Sequence, residues 1–265
     1  MSTPVPSFAQ PGWADFLRGL SLPFTAVGLV FRSRKLFLLS LLASVVTFVA
    51  LAALLVFLPS ATGSFLGLFW ARPEGWVGAA LWYVVAALTF VVLLVVGANT
   101  VPLLLLAPLQ DPLSEATEEL CGGFFAPPFS LGLFLKGALA SIAHTLKRIT
   151  LLLGGHALLL ALHLLPGIGS IVWTVASTLW TMWWLSAEYL SGVMARHLYR
   201  FRDVVPALWS RKRLALGFGA AIYVLLWIPV LNLFFIPLAV VAGTLLFRGL
   251  RAAGALSPPA LQDLR

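Results

Sequence analysis

Long uncharged runs of apolar residues alternate with short polar segments along this chain. Residues 36–58 contain no charged side chain, and residues 76–109 form a second run of the same kind. An α-helix rises about 1.5 Å per residue, so each run is long enough to cross a bilayer core of about 30 Å. The pattern predicts two membrane-spanning helices. Pro59 is expected to end the first, because proline and the small polar residues after it favour a helix break.

Two further apolar segments each contain a break near the middle. Residues 149–187 are interrupted at Pro166-Gly167, and residues 214–247 are interrupted at 228–232. The stretch from 214 to 228 is about 22 Å long as a helix, shorter than the bilayer core. Each segment is therefore predicted to be a helical hairpin that enters the membrane only part way.

The hairpin tips supply candidate pore residues. Proline and glycine at Pro166, Gly167 and Pro229 free backbone groups, which must be satisfied by protein or face a polar cavity. Asn232 places an amide deep in an apolar segment, where an unsatisfied polar group is costly. We consider two roles for Asn232: lining or gating a pore, or capping the broken helix.

Amphipathic and polar helices complete the pattern. Apolar residues recur at steps of three and four over 13–31 and again over 129–148, which predicts helices lying at the membrane surface. Asp15 and Arg18 are expected on the polar side of the first. Asp111 followed by proline is typical of a helix start, so a separate polar helix is predicted after the second span.

Composition narrows the class of protein. Hydrophobic residues make up 61% of the 265 residues and charged residues only 10%, too few for a water-soluble surface. The sequence therefore predicts an all-α integral membrane protein. No nucleotide-binding, hydrolase or metalloprotease motif is present, so no enzyme activity, metal or cofactor is predicted.

The net charge of +8 indicates orientation rather than nucleic-acid binding. Basic residues flank the predicted spans and the hairpin bases, whereas Arg72 alone lies between the two spans. The positive-inside rule then places both termini and both hairpin bases in the cytoplasm, where the cations meet anionic lipid. With one cysteine and no cleavable leader, we expect a bacterial inner membrane protein.

Five motifs resemble the CysZ sulfate-permease family, which shares a domain with the eukaryotic etoposide-induced membrane proteins. The motifs are APLQDPLSEATE at 107–118, LPGIGS at 165–170, the stretch that leads to Glu188-Tyr189, RKRLALGFGA at 211–220 and IPVLNLFFIPLAVVAGTLLF at 228–247. Together they cover about residues 13–250, which we expect to form one membrane domain between tails at 1–12 and 251–265.

The resemblance implies an architecture and an activity. The architecture is two long spanning helices and two partly inserted hairpins, assembled as a homo-oligomer. The activity is inner-membrane uptake of sulfate or a related oxyanion for cysteine synthesis, passive or driven by an ion gradient. Eukaryotic relatives act in membrane trafficking, so the alternative is a non-transporting protein of the same family that organises membranes or binds partners.

The resemblance also points to an anion site. The family contacts sulfate through a Gly-Leu-Arg segment before the first span, and the aligned residues here are Arg32, Ser33 and Arg34, with Lys35 beside them. Arg34 matches, and Arg32 replaces the glycine. Guanidinium groups suit tetrahedral oxyanions. Alternatively, the cluster is a basic anchor whose side chains reach lipid phosphates.

Acidic residues after the second span form the last candidate group. Glu115 and Glu118 are predicted to shape a cytoplasmic vestibule or to pair with the basic run that starts at Arg211. Alternatively they form a solvated face with structural ion pairs. His156 and His163 are interpreted as packing or hydrogen-bonding residues, and the glycines of the segment 217–219 as a site of close helix packing.

Overall fold

The computed structural model describes residues 8, 12–122, 132, 147, 150–197, 199–227 and 229–256. Within these ranges the regular structure is helical. The helices are α1 (Ala14–Arg32), α2 (Arg34–Phe69), α3 (Trp76–Leu120), α4 (Thr150–Leu164, its last turn a 3₁₀-helix), α5 (Gly169–Arg196), α6 (Phe201–Ser210), α7 (Lys212–Leu226) and α8 (Pro229–Ala252). The predicted amphipathic helix at 129–148 lies outside the described residues, apart from two isolated positions.

Four of the described helical segments are long and apolar enough to cross a membrane. They are Ala14–Arg32, Arg34–Phe69, Trp76–Ala98 and Phe235–Ala252. The second contains the predicted span 36–58, and the third covers the first part of the predicted span 76–109, all of which lies within α3. The protein is therefore an all-α membrane protein, as its composition predicts. The depth that each hairpin reaches in the bilayer stays a prediction.

The first hairpin is confirmed. Helix α4 ends at Leu164 and α5 begins at Gly169, so the break falls on the predicted Pro166-Gly167. Gly167 has φ of +80°, a conformation that glycine adopts without the steric cost a side chain would add. The amide of Gly169 then donates to the carbonyl of Leu165, which starts the next helix.

The second hairpin is also present, but its break is shorter than predicted. Helix α7 ends at Leu226 and α8 already begins at Pro229, so Asn232 lies in the first turn of α8 rather than in the break. Proline suits the first position of a helix because the amide it lacks has no helical partner there. The prediction that the break extends to Asn232 is therefore wrong.

Helix α2 does not end at Pro59, contrary to the sequence prediction. It runs without interruption to Phe69. Pro59 removes a single helical donor, the one that would bond to the carbonyl of Leu55, and the rest of this 36-residue helix keeps its backbone bonds. The polar residues after it do not break the helix either, since the hydroxyl of Ser60 donates to the carbonyl of Phe57 and that of Thr62 to the carbonyl of Leu58, both at 2.8 Å.

Helix α3 likewise continues through Asp111 and its following proline, where a new helix was predicted. One helix extends from Trp76 to Leu120. Leu113 and Ala116 of its last turns are buried, and Ser114 bonds to the hydroxyl of Thr244 in α8 at 2.8 Å. Packing of this face against α8 stabilises a continuous helix at Asp111, although the local residues are typical of a helix start.

The described residues divide into two compact units, Met1–Ser40 with Gln110–Arg265, and Leu41–Leu109. In the first unit α7 lies between α1 and α5. A Cβ atom on Gly217 would overlap the Phe16 carbonyl of α1, and one on Gly219 would overlap the Met182 carbonyl of α5. The predicted role of this segment in close helix packing is confirmed.

Helix α1 uses two faces. The predicted apolar stripe is largely exposed, as at Leu17 and Phe24, whereas Leu22 and Ala26 are buried against other helices. Asp15 was expected on a polar surface but is only 2% exposed. That prediction is wrong because Asp15 faces the buried Arg211, between α6 and α7, which the pattern of α1 alone does not reveal.

The glycine contacts lead to a matched pair of substitutions. We expect Gly219→Ala to lower the free energy of unfolding by about 1–3 kcal/mol, the usual cost of overpacking a tight contact. Gly192 lies in α5 with open space around it, so Gly192→Ala should be neutral or stabilise by up to about 1 kcal/mol. Thermal unfolding of both purified variants in detergent tests this, and equal midpoints would contradict the packing role of Gly219.

Candidate anion-binding site

The predicted basic cluster lies where α1 meets α2. Arg32 ends α1, and Ser33 is extended, with φ of −116° and ψ of 116°. The Ser33 hydroxyl oxygen accepts from the amide of Leu36 at 3.3 Å, so it caps the start of α2. Leu36 is fully buried, and the rings of Phe31 and Phe37 pack across the junction with centroids 5.8 Å apart. These contacts fix the turn that carries the arginines.

Arg32 and Arg34 project from this junction. Both are exposed, and no carboxylate among the described residues forms an ion pair with either. The first turn of α2 holds no acidic residue of its own, and the positive end of the helix dipole favours an anion at this place. Two guanidinium groups beside a helix N-terminus suit a tetrahedral oxyanion, which accepts paired hydrogen bonds.

Lys35 differs from its neighbours because it already has an anionic partner. Its Nζ lies 2.7 Å from Glu119 Oε2 at the end of α3, and both side chains are about half exposed. An exposed pair of this kind contributes at most about 1 kcal/mol. The structure thus brings one member of the predicted anion cluster to the acidic segment of α3.

Glu118, the neighbouring residue, is buried in an ion network. Its Oε1 lies 2.8 Å from Arg196 Nη2 and 2.9 Å from His197 Nε2, both at the end of α5. Arg196 also donates to the carbonyl of Asp111 at 3.0 Å, and His197 stacks on Phe247 of α8. The network joins the ends of α3 and α5 beside α8.

The electrostatic balance keeps Glu118 charged. Burial alone would raise the pKa of its carboxyl group. The hydrogen bond with His197 and the charge of Arg196 outweigh burial, and the pKa lies below its ordinary value of 4.5. Glu118 is therefore a buried, ionised member of this network, and Glu115 is partly buried on the same helix. The vestibule role of the two glutamates stays a prediction.

The sequence suggested that Arg211 pairs with these glutamates, but its partner is Asp15. Its Nη1 lies 3.0 Å from Asp15 Oδ2 in α1, and its Nη2 donates to the carbonyl of Phe8 at 3.4 Å. Arg18 contacts the other oxygen of Asp15 at 3.1 Å. Sequence reasoning missed this pair. The available signal was that Asp15 is the only acidic residue before Glu74 in a strongly basic chain.

The other candidates lie at the hairpin tips and on α4. Pro166 and Gly167 form an exposed tip, and no ion pair or hydrogen bond among the described residues joins that tip to the α1–α2 junction. His156 Nδ1 lies 3.0 Å from the Leu152 carbonyl, and the His163 ring lies 4.9 Å from that of Trp173. The histidines thus pack and bond within the protein, as predicted.

A cavity in the other unit has the opposite chemistry. Its volume is about 570 Å³, and its lining between α2 and α3, which includes Val49, Leu54 and Leu105, is wholly apolar. Such a cavity offers no hydrogen bond to an anion. Within the described residues, the α1–α2 junction is therefore the stronger candidate for anion binding.

The family comparison bears directly on this arrangement. A family model described as sulfate transporter CysZ/etoposide-induced protein 2.4 matches residues 22–237, which include the junction, the first hairpin, the beginning of the second hairpin, and Glu118 with Arg196 and His197. The chain belongs to this family. Membership indicates a transporter-type protein rather than an enzyme.

Adjacent glutamates of α3 allow a controlled test of the ion network. Glu118→Gln leaves Arg196 buried without its counter-charge, so we expect a loss of about 3–5 kcal/mol in the free energy of unfolding at neutral pH. Glu119→Gln removes only an exposed pair and should cost at most about 1 kcal/mol. Thermal or denaturant unfolding of the two variants measures the difference.

The lowered pKa of Glu118 predicts that the stability of the protein depends on pH. Because folding lowers the pKa of Glu118, its contribution is complete above pH 4.5 and is lost as the pH falls through the folded-state value. The parent protein should therefore lose more stability on acidification than Glu118→Gln does. Parallel acid profiles for the two proteins would contradict an ionised Glu118.

Proposed function

We propose that this protein is an anion permease of the inner membrane that carries sulfate or a closely related oxyanion. The main support for this proposal is the α1–α2 junction, where Arg32 and Arg34 are exposed beside the capped start of α2. Family membership supports a transport role, and the chemistry of the junction supports an anionic cargo. No nucleotide-binding motif occurs in the sequence, so we propose passive or ion-gradient-driven flux.

The proposed orientation follows from charge. Basic residues flank both hairpin bases and the first span, so we propose that the termini and the junction lie in the cytoplasm of a bacterial cell. The junction then acts as the cytoplasmic mouth of the pathway. The hairpin tips with Pro166 and Pro229 are proposed to line it deeper in the membrane, and a homo-oligomer is the proposed functional state.

Within the junction each residue has a distinct proposed role. Arg34 supplies the paired donors that match the family's arginine, and Arg32 adds a second cation where the family has glycine. Ser33 holds the turn, because its hydroxyl oxygen is engaged by the amide of Leu36. Lys35 exchanges between Glu119 and the incoming anion, which an exposed and weak pair permits.

Uptake of radiolabelled sulfate into proteoliposomes tests the proposal. A hydrogen bond to a charged group is worth about 1.5–3 kcal/mol, so Arg34→Ala should raise the half-saturating sulfate concentration roughly tenfold or more. Arg202 is an exposed arginine of α6 outside the junction, and Arg202→Ala is the matched control that should leave uptake unchanged.

Two results would overturn the proposal. One is an absence of flux above empty liposomes for sulfate, sulfite and phosphate with a protein that elutes as a folded species. That result would favour the non-transporting, membrane-organising role known in eukaryotic relatives. The other is equal loss of uptake in the Arg34 and Arg202 variants, which would indicate a general surface-charge effect rather than a site at the junction.

A further inference from the structure

The corner where α6 meets α7 carries three consecutive basic residues with different surroundings. Arg211 is buried and held by Asp15 and the Phe8 carbonyl. Lys212 is exposed, and Arg213 is partly exposed. No carboxylate among the described residues forms an ion pair with Lys212 or Arg213, since Asp15 is already shared by Arg211 and Arg18. The corner therefore keeps an unneutralised positive charge.

Arg213 is oriented by an aromatic ring. Its guanidinium carbon lies 3.9 Å above the centre of the Trp13 indole, the residue that precedes α1. A guanidinium stacked on a ring uses its face for the contact and leaves its N–H edges available. Those edges match two oxygens of a phosphate group, and the stacking limits the side-chain entropy that binding must remove.

Large apolar side chains near this corner are exposed: Trp13 contacts Arg213, Leu17 lies one turn further along α1, and Trp209 lies two residues before Arg211. Trp13 is 81% exposed, Leu17 is 65% exposed and Trp209 of α6 is 67% exposed. The Trp209 ring packs edge to face on Trp183, with centroids 6.3 Å apart, so its position is fixed by the protein. Exposed tryptophans next to cations are typical of the headgroup level of a bilayer, where one side of the surface is apolar and the other is wet.

We propose that Arg213, Lys212, Trp13 and Trp209 form a binding site for the headgroup of an anionic phospholipid. Arg213 and Lys212 contact the phosphate, while Trp13, Trp209 and Leu17 contact the glycerol and upper acyl region. A free oxyanion satisfies only the cations, whereas a phospholipid also covers the apolar surface. That difference selects a lipid as the occupant. The site is separate in sequence and in contacts from the Arg32–Arg34 junction and does not depend on the transport proposal.

The proposal is tested by lipid competition on the full-length purified protein. The protein is equilibrated with equal amounts of phosphatidylglycerol and phosphatidylcholine, and the retained lipids are counted by native mass spectrometry. We expect the parent to prefer phosphatidylglycerol. Arg213→Gln should reduce that preference roughly fivefold, the change expected for one basic residue at an anionic surface. Arg202→Gln removes an exposed arginine outside the corner and should leave the preference unchanged.

Further measurements distinguish binding of a lipid from binding of free phosphate, and a loss of binding from a loss of folding. Trp13→Leu should weaken the preference while all charges remain, because the platform for Arg213 is lost. Inorganic phosphate should not displace phosphatidylglycerol. Equal retention of the two lipids by the parent overturns the proposal, as does equal loss in the Arg202 and Arg213 variants or ready displacement by phosphate. Unchanged thermal unfolding of each variant in phosphatidylcholine shows that the fold is intact.

Discussion

The close approach of helix backbones on both sides of α7 is the constraint on which its unit depends. Inside a bilayer, apolar side chains gain little by leaving lipid for protein, so helices associate mainly through van der Waals contact and hydrogen bonds. Gly217 and Gly219 give α7 that contact with α1 and α5, and Gly243 of α8 does the same against Tyr189 of α5. The Ser186 hydroxyl donates to the Ala215 carbonyl across one of these crossings. Larger residues at these points would separate the helices and remove the bonds between them.

Buried charge then fixes the ends of the helices that the glycines bring together. Asp15 and Arg211 connect α1 to the start of α7, and Glu118 with Arg196 connects α3 to the end of α5. A buried pair adds little net stability over apolar residues of the same size, but removing one partner is costly. Leaving either partner alone would be costly, so each pair favours helix arrangements in which the carboxylate meets its arginine.

Features set by neighbouring residues were predictable from the sequence, whereas features set by residues distant in the chain were not. The break at Pro166-Gly167 was predicted because glycine with positive φ is a local requirement. The close-packing role of Gly217 and Gly219 was predicted because small residues in an apolar helix have few other uses. The predicted helix end at Pro59 was wrong because one missing backbone donor does not stop a 36-residue apolar helix. The predicted helix start at Asp111 was wrong because packing of α3 against α8 outweighed the local signal. The partners of Glu118 lie 78 and 79 positions away on another helix, and no periodicity within α3 identifies them.

Scarcity of carboxylates determines which cations are available for ligands. The chain has 17 lysines and arginines but only 9 aspartates and glutamates. Asp15 and Glu118 form buried ion pairs within the protein, and Glu119 forms an exposed ion pair with Lys35. The cations left outside such pairs include Arg32 and Arg34 at one junction and Lys212 and Arg213 at another. Each group lies at a helix start whose own first turn contains no acidic residue, and the helix dipole there also favours an anion. Exposed rings lie beside both groups, Phe31 and Phe37 at the first and Trp13 at the second. What separates the two is that the Arg213 guanidinium lies over the Trp13 ring, an amphipathic surface that suits a lipid headgroup, whereas a small oxyanion needs only the charge and donors of the first group.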